Sequence, residues 1–87
     1  MGADKGEGTA LLGEGHFIKG NYAHAKELLL FAQKRFRDTS RINNMLGNIA
    51  EKEKNFPLAR EYYTQVTQRE PFMPEGWMNL ANITQEP

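Results

Sequence analysis

Apolar and polar residues recur along this chain with the period of a helix, in five segments separated by turn residues. In the first, about residues 7–19, Leu11, Leu12 and Phe17 supply the apolar positions, while Gly13 and Gly15 each weaken the helix by roughly 1 kcal/mol relative to alanine. Gly20-Asn21 is a turn signal. A second helix is predicted over about 23–36, where Ala25, Leu28, Leu29, Ala32 and Phe36 are spaced for one buried stripe. Asp38, Thr39 and Ser40 form a polar break, and Ser40 is expected to cap the third helix, about 41–53, by accepting a backbone N–H bond. That helix should turn Ile42, Leu46, Ile49 and Ala50 inward. Asn55-Phe56-Pro57 turns the chain, and proline at a first helical position loses nothing because that N–H has no partner there. The fourth helix, about 57–69, carries Ala59, Tyr62, Tyr63 and Val66 on its apolar side; the fifth, about 75–85, carries Trp77, Leu80, Ala81 and Ile83. There is no sustained two-residue alternation and no hairpin dipeptide, so the fold class is all-α.

The segments are copies of one another. Leu12-Gly13 lies thirty-four positions before Leu46-Gly47, which lies thirty-four before Leu80-Ala81. The same offset carries Tyr22 onto Phe56, Ala25 onto Ala59, Leu29 onto Tyr63 and Ala32 onto Val66, so small residues fall on small and large on large. A fixed period of this length signals a repeat architecture, whose units present surfaces more often than catalytic centres.

The phase of these residues resembles the tetratricopeptide repeat, a 34-residue helix–turn–helix unit with the pattern W-x2-L-G-x2-Y, then A-x3-F, then P. The middle copy, 40–73, carries Leu46-Gly47, Ala59, Tyr63 in the large aromatic slot and Pro71. The third, from residue 74 on, opens with Trp77-x2-Leu80-Ala81, and the first, 6–39, carries Leu12-Gly13, Ala25 and Ala32. His16 and Ala50 replace tyrosine, Leu29 replaces an aromatic, and Arg37 stands where Pro71 stands one copy later. Residues 1–5 fall outside the pattern and are read as a disordered or expression-derived N-terminus.

The resemblance implies antiparallel helices stacked in a right-handed superhelix. Gly13 with Ala25, and Gly47 with Ala59, would be the points of close helix approach, flanked by Leu12 and Leu46. Tyr63 and Val66 would pack against Trp77 and Leu80. Each hairpin leaves an apolar face for its neighbour to cover, so five helices imply a fragment of a longer array or an edge covered by another molecule.

It also implies a concave groove lined by the first helix of each hairpin. The positions carried over are Ala10, Glu14, Phe17, Arg41, Asn44, Asn48, Glu51, Met78 and Asn82, with Gln85 aligned to Phe17 and Glu51. The amides of Asn48 and Asn82 suit an extended peptide because each offers donors and acceptors. The family's clamp for acidic C-terminal peptides would fall on Ala10, Glu14, Met45, Glu75 and Asn79. None is cationic, so the expected ligand is a neutral or mixed-charge peptide with an apolar anchor.

Composition narrows the partners. Eleven basic and eleven acidic side chains cancel, so no net field draws the chain to nucleic acid or anionic lipid, and neither a nucleic-acid nor a membrane partner is expected. There is no cysteine, which suits a reducing, intracellular and cytoplasmic setting. The longest apolar run, Leu28 to Ala32, is too short to span a bilayer.

Candidate chemistry is sparse. His24 and Glu27 are three apart on a helix, but a metal site needs three or four ligands and no second cluster accompanies them, so no metal or cofactor is expected. His16 should pack in the vacated tyrosine slot. Lys34, Arg35, Arg37 and Arg41 cluster where cations complement a helix C-terminus. No phosphate loop, nucleophile motif or poised carboxylate pair is present, and the chain reads as a non-enzyme.

The first copy is also stickier than the second: Phe17, Ile18, Leu30, Phe31 and Phe36 stand where the second has Glu51, Lys52, Thr64, Gln65 and Glu70. Exposed apolar clusters mark interaction sites. The expected function is a protein-binding scaffold; the alternative is self-assembly through Leu30, Phe31, Trp77, Leu80 and Ile83.

Overall fold

In a computed structural model that describes residues 7–36 and 38–84, five helices follow one another: α1 (Glu7–Ile18), α2 (Tyr22–Arg35), α3 (Ser40–Lys52), α4 (Phe56–Arg69) and α5 (Pro74–Thr84). Helices α3, α4 and α5 begin where a side chain or a proline relieves their unpaired N–H groups, whereas Asn21 at the start of α2 makes no side-chain cap bond. The expectations for residues 1–5, Arg37 and Gln85 lie outside the described residues. Thr39, not Ser40, caps α3: its backbone is extended and its Oγ1 accepts from the Ile42 N–H at 3.2 Å. Ser40 is the first helical residue, and its buried hydroxyl finds no hydrogen-bond partner among the described residues. Asn55 caps α4, its Oδ1 accepting from the Leu58 N–H at 3.4 Å, with Pro57 in the first turn.

The two hairpin turns close in the same way. Gly20 and Lys54, thirty-four apart, both have positive φ, 85° and 65°. Behind them, Gly20 N–H donates to Phe17 O at 3.0 Å and Asn21 N–H to His16 O at 2.8 Å; Lys54 and Asn55 make the matching bonds to Glu51 and Ala50 at 3.0 and 2.8 Å. This paired closure satisfies the last carbonyls of a helix and needs a left-handed residue, which glycine adopts freely and lysine only at a cost.

Close approach between helices is set by glycine against a large side chain. A Cβ on Gly47 would lie 2.4 Å from Tyr63 Cε1, and one on Gly13 would lie 2.9 Å from Leu29 Cγ. The partners of these glycines are therefore Tyr63 and Leu29, one turn beyond the alanines expected from the pattern, although the Ala25 carbonyl also stands 3.4 Å from the Gly13 position. Gly76 repeats the device between hairpins, 2.9 Å from Val66 Cγ1.

The core lies between hairpins as much as within them. One cluster joins Ala25, Leu29 and Ala32 of α2 to Ile42, Met45, Leu46 and Ile49 of α3; a second joins Ala50 to Ala59, Tyr63 and Ile83. Burial fails where no neighbour stands among the described residues. Leu12, aligned with fully covered Leu46, is 61% exposed, since among the described residues no helix stands against it as α2 stands against Leu46. Trp77, aligned with fully buried Asn43, is 51% exposed, with no helix after α5 among the described residues to cover it. Its indole N–H donates to Pro71 O at 3.0 Å instead. Phe36, expected in the buried stripe, sits just past the end of α2 and is largely exposed against Phe31. Tyr62 and Leu28 are half-buried.

Polar bonds lock the hairpins together. Asn43 is fully buried and its Nδ2 donates to Asp38 Oδ1 at 2.7 Å and to Thr39 O at 2.8 Å. Gln33 Nε2 donates to Asp38 Oδ1 at 3.0 Å and to Asn43 Oδ1 at 3.2 Å. Arg69 closes the network from α4 by pairing with the Asp38 carboxylate and donating to its backbone oxygen at 3.0 Å. The Asp38 carboxyl is held below its usual range, first by the Arg69 hydrogen bond and then by Gln33 and Asn43, against the opposing effect of burial.

Gly47→Ala should destabilise the domain by about 1–3 kcal/mol, because the Tyr63 ring is fully buried and cannot yield to the new methyl. Gly15→Ala, with nothing within 4 Å of the new atom, should instead raise stability by up to about 1 kcal/mol through helix propensity. Thermal unfolding of the two variants checks the opposite signs. A carboxyl with a lowered folded pKa contributes stability above its unfolded value near about 4, and that contribution disappears as pH falls through the folded value. The wild-type midpoint should therefore decline below about pH 4 more steeply than that of Asp38→Ala, which should itself lose about 1–2 kcal/mol at neutral pH by stranding the Asn43 amide.

Candidate functional site

Helices α1, α3 and α5 lie side by side on one flank of the stack and enclose a groove of about 490 Å³. From α1 come Glu14, Phe17 and Ile18; from α3, Arg41, Asn44, Met45 and Asn48; from the α4–α5 turn, Met73; and from α5, Glu75 and Asn79. Each helix contributes residues three or four apart, as one exposed helical face must.

The polar side chains are held in place by the scaffold. Asn48 Nδ2 donates to Asn44 O, one turn back, at 2.9 Å. Asn79 Nδ2 donates to Asn44 Oδ1 at 3.2 Å, a bond that fixes α5 against α3. Asn44 Nδ2 rests 3.8 Å from Met73 Sδ. Arg41 Nη2 donates to Glu14 Oε1 at 2.6 Å across the hairpin boundary, and that bond raises the guanidinium pKa further. The apolar wall is Phe17, tilted against Tyr22 with ring centroids 5.8 Å apart, together with Ile18, Met45 and Met73.

Glu14, Phe17, Arg41, Asn44 and Asn48 are thus brought together. Ala10, Glu51, Met78 and Asn82 are outside the lining. Ala10 packs against the first core cluster, and Met78 and Asn82 are exposed elsewhere on α5. Glu51 is turned away: its Oε1 accepts from the Tyr63 hydroxyl at 2.8 Å, and burial together with that carboxylate drives the phenol pKa far up.

The groove crosses the hairpins on a slant. From Asn44 to Glu75, and from Asn48 to Asn79, is thirty-one positions rather than thirty-four, because successive hairpins are rotated about the superhelix. The positions aligned with the acidic-peptide clamp follow this slant, and Glu14, Met45, Glu75 and Asn79 all line the groove, without a cation among them. Ile18 and Met73 carried no signal in the repeat pattern. Met73 aligns with Thr39, a cap rather than a groove residue, and reaches the groove only because the turn before Pro74 brings it beside Asn44.

Of the remaining candidates, His16 stacks on His24 with ring centroids 5.3 Å apart, and the Asn21 amide nitrogen lies 3.4 Å from His16 Nδ1. No group of three or more potential metal-ligating His, Cys, Asp or Glu side chains occurs among the described residues. Arg41 leaves the proposed basic cluster to pair with Glu14, while Lys34 and Arg35 occupy the last turn of α2. Among the described residues no helix is long and apolar enough to cross a membrane.

Of the five apolar residues named for self-assembly, two are exposed. Ile83 is buried in the second core cluster, and Leu30 and Leu80 are half-buried against the first and second. Phe31 and Trp77 remain exposed, and Phe72 and Met78 join Trp77 on the α5 side.

A family model described as tetratricopeptide repeat matches residues 11–74 and, overlapping, 44–83. A TPR-containing protein of Dictyostelium discoideum is 30% identical over 80 residues, a match that covers 82% of this chain and 6% of that protein. The chain therefore spans a small fraction of the length of that relative. No solved structure matches. Five helices without a strand among the described residues, glycine-seated hairpins and a match across most of the sequence agree: the chain belongs to the tetratricopeptide repeat family, a helical-repeat fold built for protein interaction.

Proposed function

We propose that this domain is a non-catalytic scaffold, acting inside the cell, whose concave groove binds an extended segment of a partner protein. The observation that carries the reading is the groove itself. It is long enough to touch three helices, has an apolar wall of Phe17, Met45 and Met73, and displays a row of amides at Asn44, Asn48 and Asn79. Apolar surface with a few fixed polar groups suits peptide recognition, in which burial supplies affinity and placed hydrogen bonds supply register. The groove offers no nucleophile beside a base, which fits a binding role better than catalysis.

A second reading is favoured by the α5 end. Phe72 is 95% exposed, Trp77 51% and Met78 63%, three apolar side chains within seven residues that a second molecule could cover.

The groove reading is tested by selecting from a displayed random nonapeptide library and mapping an enriched peptide by amide chemical shifts. Shifts should fall on Asn44, Asn48 and Asn79. Asn48→Ala should weaken binding by on the order of 1 kcal/mol with the unfolding midpoint nearly unchanged. Shifts confined to the outer face, around Lys26, Leu30 and Arg60, would count against it. If the α5 end drives assembly, sedimentation should show a mass that rises with concentration and returns to the monomer in Trp77→Glu. A monomer at all concentrations removes that reading.

A further inference from the structure

We propose that the groove selects partner segments carrying an arginine or lysine beside an apolar residue, the opposite charge preference to the acidic-tail clamp whose positions it occupies. The proposal rests on the groove reading above and adds the chemistry of the ligand.

The amide nitrogens of the groove face the protein. Asn48 Nδ2 is committed to the Asn44 backbone oxygen, an acceptor that cannot be exchanged for a donor, so the orientation of that amide is settled. Asn79 Nδ2 is committed to Asn44 Oδ1, and Asn44 Nδ2 to the Met73 sulfur. The carbonyl oxygen of Asn48 therefore remains for a ligand, and so does that of Asn79 as its amide is oriented toward Asn44 Oδ1, neither having a hydrogen-bond partner among the described residues. Both oxygens accept, while one of the two N–H groups on each amide is already bound within the protein.

The charges lean the same way. Among the described residues Arg41 is the one cation of the lining, and Glu14 holds it at 2.6 Å, so the pair contributes little net field. Glu75 is exposed in the first turn of α5 and adds a carboxylate with no cation opposite it in the lining. Its charge also favours the positive end of that helix, which accounts for its presence but does not cancel its field over the groove. Two amide oxygens and one surplus carboxylate form an acceptor-rich floor. Beside it, Phe17, Ile18, Met45 and Met73 form a wall along which the methylene stem of arginine or lysine can lie while its head reaches the oxygens. The methionines adapt to different stems, since the thioether is flexible and polarizable.

The experiment compares the peptides enriched from the random nonapeptide library by the wild-type domain and by Glu75→Lys, each then measured by fluorescence anisotropy. Wild type should enrich sequences with a basic residue adjacent to an apolar one. Replacing that basic residue by glutamate should weaken binding about tenfold, and Glu75→Gln should weaken the parent peptide about threefold, the range of exposed charge pairs. Glu75→Lys should reverse the preference toward acidic peptides, an effect that mere loss of helix stability cannot produce. Arg41→Gln, which frees the Glu14 carboxylate, should tighten the basic peptide. Enriched peptides that map to the groove yet carry no cation, or that Glu75→Lys binds equally well, overturn the proposal and leave the scaffold reading standing. Absence of any groove-binding peptide removes the scaffold reading, and this proposal with it.

Discussion

The fit of the Tyr63 ring over Gly47 governs the second hairpin. The ring needs the whole of the space that a Cβ would take, so α3 and α4 meet at one register and one spacing. Its hydroxyl then draws in Glu51, the residue one turn after Gly47 on the same helix. A packing contact thereby edits the concave face, removing a carboxylate that the repeat pattern assigns to it and leaving the amides of Asn44 and Asn48 as its polar floor. The phenol stays neutral through the physiological range, since burial and the neighbouring carboxylate both oppose its ionisation.

Between hairpins the bonding is of another kind. Leucine and isoleucine contacts supply the driving force, roughly 1.5–3 kcal/mol for each large side chain fully buried. They have no direction, and cannot by themselves choose the angle between units. The Asp38 network does have direction. It joins Gln33 of α2, Asn43 of α3 and Arg69 of α4 to one carboxylate in the linker. With Glu14–Arg41 and Lys26–Glu53, each joining the two hairpins, it sets the rotation of one unit on the next. The groove is a consequence of that rotation.

Local features were legible in the sequence and contextual ones were not. Helix number, type and limits follow from spacing and turn residues, to within about one residue at each end. Thr39 and Ser40 are chemically equivalent as caps, and only the backbone distinguishes them. Burial of Leu12 and Trp77 could not be read from phase, because the motif records which face is apolar and not whether anything covers it. For the site, Glu14, Phe17, Arg41, Asn44 and Asn48 of α1 and α3 were legible, whereas Ala10 was drawn to the core and Glu51 to the Tyr63 hydroxyl. The α5 contribution shifted from Asn82 to Asn79, and Met73 entered from a turn, because both depend on the relative rotation of hairpins, a quantity that no single repeat encodes.

The slant of the groove separates two kinds of inheritance. A residue that seats one helix on another recurs every thirty-four positions, as Gly13 and Gly47 do, and duplication of a unit copies it faithfully. From α3 to α5 the groove lining steps by thirty-one, and so draws on a different column of the repeat. Lengthening such an array copies the joints without fixing which column faces the groove, so the lining can vary from unit to unit while the frame beneath it is held constant.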